Sequence, residues 1–389
     1  MRLAVYHPWT YLRGGIERVL VELLDRSRHD WTLFTHHYEP GATFPALAGH
    51  EVVELQPSVS VERRLTPIVG AAWRIGRARL PLDGHRALLV SCDGLGDLIL
   101  RRSTLPAVCY CHTPLKIRHD PVARAGLRER SALQYRMAQA IGPAFDVVDR
   151  RLWQRYVHAF VNSAATEAKL AAGNLVPSGP IEILHPGVDV ERFHDDGTRD
   201  REPFLLVAGR IMWQKRIELA IEAQSIAEQE GYDGSLVVAG TVDAKSLSYL
   251  DELRRRAEGL RVRFETDLDD DRLAGLYRRA TALVFTAPNE DFGIVPLEAM
   301  ASGCPVIAID RGGVRETVVD DRTGWLLPDD ASAFARRFLD VMSAGAALDP
   351  VRAAARARAR DFGWDRFVRR IDDVMERVAS GEQRRERLQ

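Results

Sequence analysis

Four charged side chains in the back half of the chain have the types and spacing to grip an anionic ligand. Arg210 and Lys215 lie in the run Gly209-Arg210-x-x-x-x-Lys215-Arg216, directly after the apolar stretch Phe204–Ala208. A glycine at a strand end lets the backbone come close to a ligand. The guanidinium of Arg210 offers a planar fork for phosphate oxygens, and Lys215 a point charge. Ile217, Ala220 and Ile221 mark a helix just beyond, whose first N–H groups also favour an anion. The plainer reading is two solvated loop cations.

Glu290 and Glu298 belong to a second run, Asn289-Glu290-Asp291-Phe292-Gly293-Ile294-Val295-Pro296-Leu297-Glu298, which follows the strand candidate Leu283–Thr286. Pro296 fits the first turn of a helix. Glu298 is expected in that turn and Glu290 in the loop before it, both able to point into one site. Between them Phe292, Gly293 and Ile294 can present backbone N–H groups. The plainer readings are helix-dipole stabilisation for Glu298 and a solvated loop acid for Glu290.

The front half adds weaker signals. Gly14-Gly15-x-Glu17 joins a strand to a helix, which allows close approach to a phosphate or sugar, although tight turns use paired glycines for steric reasons alone. His112, in Cys111-His112-Thr113-Pro114, ends the strand candidate Ala107–Tyr110 and is well placed for a cleft. The alternative is a buried imidazole bonded to backbone. His185-Pro186-Gly187-Val188-Asp189 reads by itself as a turn.

These residues need a frame, and the patterning supplies one. Short apolar runs alternate with amphipathic helices. Strand candidates are Arg2–His7, Thr32–Thr35, Ala87–Ser91, Ala107–Tyr110 and Ala159–Asn162, then Phe204–Ala208, Leu236–Ala239, Val262–Glu265, Leu283–Thr286 and Val306–Ile309. Such alternation predicts an α/β fold with parallel sheets covered by helices on both faces. At 389 residues two domains are expected. The polar stretch Phe193–Pro203 reads as a linker. The expected domains are 1–195 and 203–360. Ligands of doubly wound sheets sit at the carboxyl ends of the strands, so two such domains facing each other would make a cleft between them.

Composition narrows the function. A net charge of -1 argues against a protein that coats nucleic acid. Cys92, Cys109, Cys111 and Cys304 form no C-x-x-C pair and read as reduced core thiols. No apolar run reaches membrane-spanning length. Met1 to Pro8 reads as a core strand, not a signal peptide. The expectation is a cytoplasmic protein. Residues 62–79 mix Arg with Ile68, Val69, Trp73 and Ile75. An ordinary surface helix is the favoured reading. The sharper one is peripheral contact with an anionic membrane or lipid acceptor at its inner face, with Arg118, Arg124, Arg128 and Arg130 extending the basic patch.

In this order the motifs resemble glycosyltransferase family 4, retaining enzymes of the GT-B fold. The resemblance covers nearly the whole chain. It rests on Gly14-Gly15-x-Glu17, His112, HPGVDVERF at 185–193, GRIMWQKR at 209–216, and the Glu290/Glu298 pair with FGIVPLEAMASGCPVIA; GGVRE at 312–316, TGWLLP at 323–328 and FGWDRF at 362–367 also match. The variants look most like bacterial mannosyltransferases of surface-polysaccharide type. The resemblance implies two doubly wound Rossmann-like domains, the first on the acceptor side and the second binding a nucleotide sugar. It also implies a C-terminal helix within 361–389 that packs back towards the first domain, with a frayed tail.

By the same resemblance Arg210 and Lys215, with Gly209, hold the donor diphosphate, and Glu298 binds the ribose hydroxyls. Glu290 and the backbone of Phe292, Gly293, Ile294 and Val295 hold the donor sugar. His112 lies beside that sugar, and Gly14 and Gly15 close the diphosphate from the first domain. GDP-mannose is the favoured donor and a UDP-hexose the second. The acceptor alcohol is a lipid-linked saccharide, a natural product or a soluble sugar. No further cofactor and no metal are expected, with the acidic run Asp267–Asp271 read as a helix start. Front-face attack is favoured over a covalent intermediate on Glu290, with charge neutralisation of the leaving diphosphate dominant. Asp321 stands where the family has glycine, so that turn is expected to differ, and Glu265-Thr266-Asp267 replaces the usual Leu-Gly stretch. A nucleotide-sugar epimerase, a sugar phosphorylase and a non-catalytic nucleotide-sugar sensor are the competing readings.

Overall fold

The structure, a computed structural model, describes residues 1–59, 65–195, 197, 201–243, 245–266 and 268–381, without the side chains of Leu65 and Arg130. The last residues of the charged tail, Asp267, and the start of the 62–79 run lie outside the described residues. The chain divides into two compact units, Met1–Pro186 with Asp365–Gln389, and Gly187–Trp364.

Among the described residues the first unit holds seven parallel strands: β1 (Arg2–Tyr6), β2 (Asp30–Thr35), β3 (Glu51–Glu54), β4 (Leu88–Cys92), β5 (Ala107–Cys111), β6 (Tyr156–Val161) and β7 (Ile181–Ile183). Their order is β3-β2-β1-β4-β5-β6-β7. β4 and β5 are buried along their whole length, as expected where helices cover both faces of a parallel sheet. The chain runs outward from β1 and returns to β4 on its other side. That reversal opens a crevice at the carboxyl ends of β1 and β4.

The second unit repeats the plan with β8 (Phe204–Ala208), β9 (Ser235–Gly240), β10 (Val262–Thr266), β11 (Ala282–Phe285), β12 (Val306–Ile309) and β13 (Gly324–Leu327), ordered β10-β9-β8-β11-β12-β13. Its reversal lies between β8 and β11. Two apolar cores sandwich the sheet, one around Leu206, Met300 and Phe292, the other around Leu205, Ile221 and Phe338.

The chain passes into the second unit at Gly187, ahead of the polar stretch from Phe193. The Val188 N–H donates to the Phe362 carbonyl at 2.8 Å, and Phe193 is buried beside Tyr277 with ring centroids 5.9 Å apart. The polar run therefore starts inside the second unit's core. The helix Trp364–Ser380 belongs, from Asp365, to the first unit. Phe367 meets Tyr110 edge-on at 5.1 Å, and Arg370 bonds Glu182 through both ends of its fork at 2.6 and 2.7 Å.

The turn carrying Asp321 keeps the left-handed geometry a glycine would take, with φ at 56°. The Thr323 N–H closes it onto the Val319 carbonyl at 2.9 Å. An L-residue there is strained by about 1 kcal/mol, and Asp321 is exposed. Asp321→Gly should therefore stabilise the protein by roughly 0.5–1 kcal/mol, raising the melting midpoint by about 1–4 °C. A lower midpoint in a thermal melt would show that Asp321 serves the turn in some other way.

Candidate active site

In the second unit the site grows from the carboxyl ends of β8 and β11, where the strand order reverses. β8 is followed directly by Gly209, which takes φ of 117°. The neighbouring Gly240 ends β9, and a Cβ there would meet the Gly209 carbonyl oxygen at 1.7 Å. Only a glycine lets these strand ends lie so close. The Gly209 N–H donates to Ala239 O at 3.1 Å, and the Ile211 N–H to Thr241 O at 2.9 Å. The backbone on either side of Arg210 is thereby fixed. Arg210 itself is half-buried and has no hydrogen-bond or ion-pair partner among the described residues. A half-buried guanidinium with all its donors unused is a site for an anion.

Lys215 closes a short 3-10 turn, Trp213–Lys215. Its carbonyl accepts from the Thr286 hydroxyl at 2.8 Å, which ties the loop after β8 to the end of β11. The Lys215 ammonium pairs with the Glu290 carboxylate and lies 5.6 Å from the Phe285 ring centroid.

Glu290 sits in the loop after β11, as read from the sequence. That loop is clamped by Gly312 and Gly313. A Cβ on Gly312 would come within 2.6 Å of Glu290 O, and one on Gly313 within 2.3 Å of Asp291 O. The Gly313 N–H donates to Glu290 O at 2.9 Å. Gly293, at φ of 91°, caps the helix Ile294–Ala301 without any side-chain cap. Its leading N–H groups therefore have no side-chain acceptor, and the positive helix end is available to an oxygen-rich ligand. Phe292 is buried against Phe362, ring centroids 6.0 Å apart, which anchors this corner. A Cβ on Gly209 would lie 3.6 Å from Val295 and one on Gly293 3.4 Å from Glu290. Gly209, Lys215, Glu290, Gly293, Ile294 and Val295 thus share one corner of the unit, with Arg210 next in the chain.

Glu298 is one turn further along than the sequence suggested. The helix begins at Ile294, two residues before Pro296, so Glu298 lies in its second turn. It is not a capping acid. Its carboxylate accepts from the Tyr277 hydroxyl at 3.0 Å. Burial first, then the Glu298 charge, push the Tyr277 phenol well above its ordinary range, so it stays a donor. The guanidinium of Arg201 in turn bonds the carbonyls of Tyr277, Ala280 and Ser302, each at 3.0 Å. Tyr277 thus serves the second unit's core and holds Glu298 as well, a second task that the sequence did not show. The acids Asp269 and Asp270 are engaged locally: Asp269 caps the helix Asp270–Arg279 through the Arg272 N–H, and Asp270 pairs with Arg192.

In the first unit His112 leaves the carboxyl end of β5 and is buried. Its Nε2 is 2.9 Å from the Ser91 hydroxyl, its ring is 4.9 Å from Tyr110, and the His7 ring is 6.3 Å away. His7 Nδ1 lies 2.8 Å from the Ser91 carbonyl. His112 therefore stands at the β1/β4 reversal, held by a serine that the sequence reading did not single out. Gly14 is the extended residue before the helix Gly15–Arg26, so Gly15 is the first helical residue and not part of the loop. A Cβ on Gly14 would strike the Glu17 carboxylate at 2.7 Å. The four cysteines are free and buried.

Both halves have recognisable kin. Residues 13–192 match the description "Glycosyltransferase Family 4", and residues 189–361 match "Glycosyl transferases group 1". The chain belongs to glycosyltransferase family 4. Among curated members, it is 26% identical to the alpha-1,3/1,6-mannosyltransferase alg-2 of Neurospora crassa, over 95% of this chain and 89% of that one. It is 29% identical to a D-inositol 3-phosphate glycosyltransferase of Streptomyces scabiei, over 93% and 86%. Of solved structures, Anabaena HepE in complex with UDP and glucose superposes with a TM-score of 0.71 at 18% identity, covering 97% and 99% of the two chains. Sucrose-phosphate synthase of Thermosynechococcus elongatus gives 0.73 at 21%, covering 98% and 100%. At these identities the structures speak for the GT-B fold alone.

Proposed function

We propose that this glycosyltransferase moves a hexose, with mannose favoured, from a nucleoside diphosphate donor to an acceptor hydroxyl with retention of configuration. Arg210 carries the reading: a half-buried guanidinium without a protein partner among the described residues, at the strand reversal where such folds take ligands. In this reading Arg210 and Lys215 neutralise the diphosphate as the glycosidic bond breaks, and preorganised charge of this kind is usually the largest catalytic contribution. Glu298, steadied by Tyr277, holds the ribose hydroxyls. Glu290 and the leading N–H groups after Phe292 hold the sugar. His112 and the Gly14-Gly15 turn serve from the first unit. The attacking hydroxyl enters on the face the diphosphate leaves, and a donor phosphate oxygen takes its proton, so Glu290 forms no covalent bond.

The mannosyltransferase name of the Neurospora relative favours GDP-mannose. UDP with glucose in the HepE structure keeps a UDP-hexose as the second choice. A thermal-shift screen of nucleotides decides the base. A ligand at 100 times its Kd adds about 2.7 kcal/mol of stability, so GDP should raise the melting temperature by several degrees while UDP does not. Response to UDP alone would reverse the donor assignment. The anomeric signal of the product, followed by NMR, tests retention: an inverted product would remove the front-face mechanism.

A further inference from the structure

The helix Ala132–Trp153 is 22 residues long, about 33 Å, and it turns an apolar face outward. Leu133 is 70% exposed, Met137 44%, Ile141 46% and Val147 46%. These positions, with exposed Val148, fall within one side of a 3.6-residue period. Arg136 flanks that side, and Arg151, about five helical turns beyond Leu133, lies on it near the helix end. The opposite side is engaged: Ala138, Gly142, Asp149, Leu152 and Trp153 are buried. Gly142 leaves room for Arg118, which bonds Asp146 at 2.6 and 2.9 Å. Sequence reading placed the apolar membrane candidate in 62–79 and did not see this helix.

What covers the face is argued from charge. Residues 65–155 carry fifteen Lys and Arg against seven Asp and Glu, although the whole chain is at -1. Of those acids, Asp97 and Asp149 are buried, Asp146 is tied to Arg118, and Asp120 to Lys169. Both the long helix and the helix Leu65–Ile75 pack on the 3-10 turn Gly96–Arg102. That neighbour adds exposed Trp73, with the Arg77 guanidinium 5.0 Å from its ring, and the turn adds exposed Arg101 and Arg102. Exposed Arg128 and Arg151 stand near the two ends of the long helix. An apolar stripe amid arginines matches the boundary between acyl chains and anionic headgroups. A second copy of the chain would set the same arginines against each other. No helix among the described residues is long and apolar enough to cross a membrane.

We infer that the outward face of helix Ala132–Trp153 docks the protein on an anionic lipid surface. This names a partner for the proposed transferase, and the surface alone carries it. The test is co-sedimentation with vesicles of equimolar phosphatidylglycerol and phosphatidylcholine, and with vesicles of phosphatidylcholine alone. The parent should pellet with the anionic vesicles, release at high salt, and stay in solution with the neutral ones. The double variant Leu133→Glu/Ile141→Glu should lose on the order of tenfold or more in partitioning. Because both positions are exposed, its melting temperature and nucleotide response should stay unchanged. An unchanged nucleotide response beside failed sedimentation would sink this inference and spare the transferase reading. Equal partitioning of parent and double variant would overturn it, as would a concentration-dependent dimer in ultracentrifugation that the double variant abolishes.

Discussion

Replacing Arg210 with alanine should lower the transfer rate by on the order of 100-fold or more, the usual cost of one preorganised donor to a developing negative charge. The same variant should lose most of the nucleotide-induced thermal shift while melting at the parent temperature without ligand. The second expectation follows from geometry. Arg210 has no partner among the described residues, so its removal breaks no internal ion pair. Lys215 differs, because its loss would leave Glu290, its ion-pair partner, without that cation. Arg210→Lys should recover only part of the activity, since an ammonium cannot bridge two phosphate oxygens in a plane. Steady-state kinetics with and without saturating donor separates the effects. A variant that turns over like the parent would mean the diphosphate sits elsewhere.

Truncating Phe367 to alanine should destabilise the first unit by about 3–5 kcal/mol, the cost of emptying a buried aromatic site. Phe367 is 1% exposed and packs edge-on against Tyr110, the ring that lies beside His112. The chain segment carrying it lies far from β5 in sequence, so the loss tests whether the last helix completes the first unit's core. Hydrogen exchange followed by peptide should show faster exchange in β1, β4, β5 and β6, with the Gly187–Trp364 peptides unchanged. A cost below about 1 kcal/mol, typical of a surface site, would mean the helix is a dispensable appendage.

The central strands were legible because a parallel sheet covered on both faces demands continuous apolar runs, and those of β5, β8, β9 and β12 stand out as such between polar loops. The strands β3, β7 and β13 escaped. Glu51–Glu54 and Ile181–Ile183 are short, half-exposed edges, and β13 opens with Gly324, whose missing side chain admits Val306 O. Edge strands lack the long apolar signature, and glycine suppresses what remains. Within the site, Arg210, Lys215 and Glu290 were visible as charge placed next to strand ends. Tyr277, Ser91 and Gly240 were not. Each acts through a contact more than twenty residues away in sequence, and each has an ordinary local role that hides the other one. The position of Glu298 was misjudged by a turn because proline marks a helix's first turn without saying which of its residues it occupies.

The measurement that bears most directly on the site is hydrogen–deuterium exchange of the whole chain, with and without whichever nucleoside diphosphate raises its melting temperature. Protection should concentrate in residues 209–216 and 290–298 of the second unit. Protection confined to other segments, with these two exchanging as in the free protein, would contradict the assignment of Arg210, Lys215, Glu290 and Glu298 to the donor.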